Sequence, residues 1–74
     1  MKETIKTVME EQMGLCYENT DMALELICEN LLYNHGIDAK YSGRSIYVGE
    51  KRVASIEVSK EGYKCVGIYK YKVF

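Results

Sequence analysis

One histidine, three cysteines and seven tyrosines are the side chains in this chain with the most chemistry to offer. Cys28 and His35 stand seven residues apart, two turns along one face of a helix, as a pair of zinc ligands could. A zinc site needs three or four ligands, however, and His35 lies where a helix should end. It therefore reads as a terminal residue beside the last carbonyls, where a partly protonated imidazole is favoured. No Ser or Cys stands in a recognisable nucleophile motif with it. No G-x-x-x-x-G-K-S/T or G-x-G-x-x-G string offers a phosphate loop, and Gly43, Gly49, Gly62 and Gly67 are spaced as turns and bulges. The expectation is a protein that is not an enzyme and takes neither cofactor nor metal.

Cys16, Cys28 and Cys65 are widely separated, form no C-x-x-C and are odd in number, so they read as reduced core thiols. Met1 leads straight into a charged, helix-like stretch with no apolar signal region, and no window approaches 18 consecutive apolar residues. A cytoplasmic protein with no membrane partner is expected.

The tyrosines suggest a different chemistry. Tyr47, Tyr63, Tyr69 and Tyr71 are interleaved with Lys and Arg, and aromatic rings can stack on bases while cations track phosphates. Against this stand the absence of an RNP-like string and a sequence pI of about 5.8.

The elements that must position these groups follow from periodicity. Ile5, Val8, Met9, Met13 and Cys16 make one stripe of a first helix over about Glu3 to Met13. Gly14 weakens it, and Asn19, Thr20 and Asp21 supply the start of a second helix reaching Asn34. There Ala23, Leu24, Ile27, Cys28 and Leu31 form the buried face, with Met22, Leu26 and Leu32 widening it toward a sheet and a neighbouring helix. Gly36 closes that helix in the left-handed conformation.

From Ile37 the period changes to two. Strands are expected over about Ile37 to Tyr41, Ser45 to Val48, Arg52 to Val58, and Tyr63 to the C-terminus. Short turns between them give an antiparallel meander, so the fold class is α+β, with two N-terminal helices on one face of a four-stranded sheet. A single domain is expected, acidic and helical over 1–36 and basic and β over 37–74. Two Lys against six Glu and one Asp give the first part a net −5, and six Lys and two Arg against three Glu and one Asp give the second +4.

Alternation places Ile37, Ala39, Tyr41, Ile46, Val48, Ala54, Ile56, Val58, Cys65, Tyr69, Tyr71 and Val73 under the helices. The other face then carries Tyr47, Val53, Val66 and Ile68 as an uncovered apolar cluster rimmed by Lys64, Lys70 and Lys72, a pattern suited to protein contact or self-association. A bulge at Gly67 would instead turn Val66 and Ile68 inward. These residues point to a small interaction module, an adaptor or inhibitor that occupies a surface of a protein partner, and to a homodimer. By association alone, size and the eight-to-two bias of Lys over Arg suit an origin in a bacterium, phage or mobile element. A nucleic-acid-binding domain using the basic, Tyr-bearing sheet is the alternative.

Overall fold

The computed structural model describes residues 1–60, 62 and 65–74. Its elements are α1 (Lys2–Gln12), α2 (Thr20–His35), β1 (Ala39–Ser42), β2 (Ser45–Val48), β3 (Lys51–Lys60) and β4 (Val66–Val73). The strands form one antiparallel sheet in the order β1-β2-β3-β4, with α2 against β1 and α1 against α2 and β4. The expected α+β architecture is the fold.

Local chemistry sets the helix limits. The Asn19 side chain accepts a hydrogen bond from the Met22 N–H at 2.8 Å, satisfying one of the first-turn donors that an α-helix leaves open. At the other end Gly36 adopts φ +68°, where a Cβ would be strained. That conformation lets the Gly36 and Ile37 N–H groups reach the Leu32 and Leu31 carbonyls at 3.0 and 2.9 Å.

The core lies between the layers. Ile5, Val8 and Met9 of α1 meet Ala23, Leu24, Ile27 and Leu31 of α2 above Ile46, Ala54 and Ile56 of the sheet. The α1 stripe is shorter than expected, because Met13 and Cys16 are exposed beyond the helix end. A Tyr71 hydroxyl donating to Glu10 Oε1 at 2.8 Å ties β4 to α1.

Two bulges correct the expected sheet faces. Between β2 and β3 the partners change from Ile46 with Ala54 to Tyr47 with Arg52, which leaves Val53 as an extra residue. Val53 and Ala54, adjacent in sequence, are consequently both buried. Between β3 and β4 the partners change from Glu57 with Lys70 to Val58 with Ile68, so Tyr69 is the extra residue. The parity shift that Gly67 suggested does occur, two residues further on. It sends Ile68 into the core and leaves Tyr69, expected under the helices, 54% exposed.

The cysteines are also corrected. Cys16 and Cys65 are joined by a disulfide with their Cα atoms 5.3 Å apart, and only Cys28 is free. The next residues along, Tyr17 and Val66, exchange hydrogen bonds of 2.9 and 2.7 Å between their main chains. The segment between the helices is thus clamped to the start of β4 by one covalent and two hydrogen bonds.

Candidate functional site

The apolar sheet patch expected from alternation is not present. Val53 at 2% exposure and Ile68 at 3% have no surface to offer a partner, Val66 is half-buried beside Tyr17, and Tyr47 is half-buried. Lys64 lies outside the described residues. Lys70 and Lys72 are exposed on the uncovered face as expected.

What that face does present is polar and cationic. The register aligns Lys40, Tyr47 and Arg52 across three strands, with Ser45, Ser55 and Lys72 in the next row and Glu57 opposite Lys70 beyond it. The Arg52 Nε–H donates to Ser45 Oγ at 2.9 Å, and its guanidinium carbon lies 4.6 Å from the centre of the Phe74 ring. Lys72 Nζ lies 5.2 Å from the same ring. The Lys70–Glu57 ion pair, 3.8 Å and exposed on both sides, contributes little.

The opposite side of the molecule is of another kind. Met22, Leu26, Leu32 and Tyr33 of α2 are 40%, 42%, 42% and 79% exposed. Met22, Leu26 and Tyr33 follow at steps of four and seven, so they line one stripe, and Glu29 falls within it. Glu25 and Asp21 flank the stripe, and α2 contains no Lys or Arg at all. The helical period puts Met22, Leu26 and Leu32 toward the core and gives Tyr33 no special place, whereas the structure exposes all four. The available signal was the width of the apolar arc: a helix resting on one sheet beside one short helix can bury only part of its circumference.

Between α2 and β1 lies a groove of about 340 Å³, lined by Glu25, Cys28, Glu29 and Leu32 of α2 and by Ala39, Lys40 and Tyr41 of β1. Burial pushes the Cys28 thiol up to about 11 from its ordinary 9.0, which keeps it protonated and a poor nucleophile near neutral pH. Tyr41 is raised by desolvation first and then by the charges of Asp21, Glu25 and Cys28. Tyr71 is raised chiefly by its hydrogen bond to Glu10, and Tyr17 by burial. All four groups are acids whose neutral form the fold favours, so above their ordinary values the unfolded chain loses protons first and stability falls as pH rises. The melting temperature is expected to drop progressively from about pH 9 toward pH 11. In thermal scans the Cys28→Ala variant should lose less over the same interval than the parent; an equal loss would show that the thiol has no part in it.

Among the described residues no three His, Cys, Asp or Glu side chains converge as metal ligands would, and His35 is exposed at the last turn of α2. No helix among them is long and apolar enough to cross a membrane. Comparison of the chain with protein-family models, with curated proteins and with solved structures returns no match.

Proposed function

We propose that this chain is a non-enzymatic interaction module, a small adaptor or inhibitor that occupies a surface of another protein with the outward side of α2. The observation that supports this is the exposure of Met22, Leu26 and Tyr33 along one stripe, with Leu32 exposed toward β1, on a helix whose formal charges are all carboxylates. Apolar side chains grouped on one helix face suit a contact surface, and a tyrosine exposed on that scale is a common anchor in such contacts. The carboxylates select the partner's sign. Pairing α2 with its counterpart on a second copy would set Asp21, Glu25 and Glu29 against the same residues, a like-charge arrangement that disfavours association. The sheet cluster that supported a homodimer is largely buried, so the partner is a different protein with a cationic and apolar surface.

Leu26→Glu tests this reading, since Leu26 is exposed and the substitution leaves the core intact. The parent and the variant should share their far-UV circular dichroism and unfolding midpoint. A protein retained from host lysate by the immobilised parent should bind the variant at least tenfold more weakly, the usual scale for charge placed in an apolar contact centre. Equal binding by the two would remove α2 as the interface.

One arrangement favours a second reading, nucleic-acid binding by the open sheet: Phe74 flanked by Arg52 and Lys72, beside the Lys40–Tyr47–Arg52 row. Anisotropy titrations of labelled single- and double-stranded oligonucleotides at low and near-physiological salt separate the two. Tight, salt-sensitive binding, weakened by Phe74→Ala, would put the sheet first.

A further inference from the structure

We infer that the partner enters as an extended segment that adds a strand to the free edge of β1 and places a cationic side chain in the groove between β1 and α2. This rests on the reading of the chain as a protein-interaction module and specifies how contact is made.

The backbone argument comes from the hairpin. β1 and β2 are joined by the two residues Gly43 and Arg44, with Ser42 opposite Ser45. In a two-residue hairpin the pair that closes the loop exchanges both hydrogen bonds, and bonded and non-bonded pairs then alternate. Lys40 and Tyr47 are therefore bonded to each other, whereas Tyr41 opposite Ile46 and Ala39 opposite Val48 are not. The N–H and C=O groups of Ala39 and Tyr41 point away from β2, and β1 ends the sheet. Among the described residues no main-chain partner meets them. They form a short template for strand addition.

The two sheet edges are not equivalent. The β4 edge is met by Tyr17 at Val66, interrupted by the bulge at Tyr69, and carries Lys70 and Lys72. Those are the means by which proteins keep an edge from pairing. The β1 edge has only its shortness and Lys40.

The groove supplies what four residues of edge cannot. Ala39 and Tyr41 face α2, so alternate side chains of an added strand would enter the space bounded by Cys28, Leu32 and Tyr41, where the exposed carboxylates of Glu25 and Glu29 outnumber the one cation on the lining, Lys40. An Arg or Lys fits that chemistry, its aliphatic stem along Leu32 and its head at the two carboxylates. On the other face of the added strand Lys40 disfavours a cation. The occupant is thus an extended segment with cations at alternate positions and small polar residues between.

The probe is a synthetic capped heptapeptide alternating Thr and Arg, compared with one alternating Thr and Glu, titrated into the uniformly ¹⁵N-labelled 74-residue chain. The Arg peptide should move the Ala39 and Tyr41 amide resonances downfield and slow their hydrogen exchange about tenfold or more, as new hydrogen bonds do. The Glu peptide should do neither. Ala39→Pro removes one outward N–H without touching a bond to β2, and should weaken the Arg peptide about tenfold. So should Glu25→Lys joined with Glu29→Lys. Arg-peptide shifts confined to Met22, Leu26 and Tyr33, with Ala39 and Tyr41 unmoved, would overturn strand addition and leave the α2 interface standing. Shifts of Ala39 and Tyr41 that are the same for both peptides would overturn the charge assignment. No shifts anywhere would overturn the inference as a whole, and the Leu26→Glu comparison then decides the α2 reading separately.

Discussion

The Ile68→Glu variant is expected not to fold. Ile68 is 3% exposed and belongs to the central cluster, opposite Val58 on β3. Truncating a buried Ile to Ala costs roughly 2–5 kcal/mol, and a carboxylate at the same place adds the penalty of an unpaired buried charge. A chain of 74 residues has roughly 4–11 kcal/mol of total stability to lose. The outcome should be graded: Ile68→Val retains a cooperative urea transition about 1 kcal/mol weaker, Ile68→Ala loses several times that, and Ile68→Glu shows no folded baseline. The face pattern of a regular strand implies the opposite, a soluble folded variant that has only lost a contact. A native circular dichroism spectrum and an unchanged midpoint for Ile68→Glu would restore that regular strand and remove the bulge at Tyr69.

Loss of the Cys16–Cys65 disulfide has the second-largest expected effect. The bond spans a sequence separation of 49 residues, and in the chain-entropy description closing a loop of that length in the unfolded state is worth about 4 kcal/mol, at the upper end of what disulfides usually deliver. For a domain of this size each kcal/mol moves the melting temperature by roughly 4–8 °C. The Cys16→Ser/Cys65→Ser variant should therefore melt about 15–30 °C below the oxidised parent. Dithiothreitol should lower the parent by a similar amount and leave the variant unchanged. What then holds the inter-helix segment is the Tyr17–Val66 exchange of hydrogen bonds, so those two amides should show the earliest gain in hydrogen exchange. Equal melting temperatures for oxidised and reduced parent would mean that the two thiols are not joined in solution. The bond also bears on where the chain works, since such cross-links persist in oxidising surroundings and are reduced by the cytosolic thiol pool.

Much of the fold was legible because its signals are local. The 3.6-residue period of Ile5, Val8 and Met9, the Asn19 cap and Gly36 each act within a turn or two of backbone. The period of two after Ile37, broken at Gly43 and Gly49, marks the strands the same way. The candidate site was less legible, and for two reasons. A bulge inserts one residue, leaves no compositional trace at Val53 or Tyr69, and reverses the faces on one side of it relative to the other. The exposure of Met22, Leu26 and Leu32 depends on how much of the α2 circumference its neighbours cover, which periodicity does not measure.

The sequence by itself determined the element order, the α+β class and the division of charge, because hydrophobic period, capping and turn chemistry are properties of neighbouring residues. Only the tertiary structure decided which cysteines meet, that Val53 and Ile68 are core, and that an acidic, apolar helix face and the β1 edge remain uncovered. Those outcomes depend on contacts between residues far apart in the chain, and such contacts are set by packing the whole.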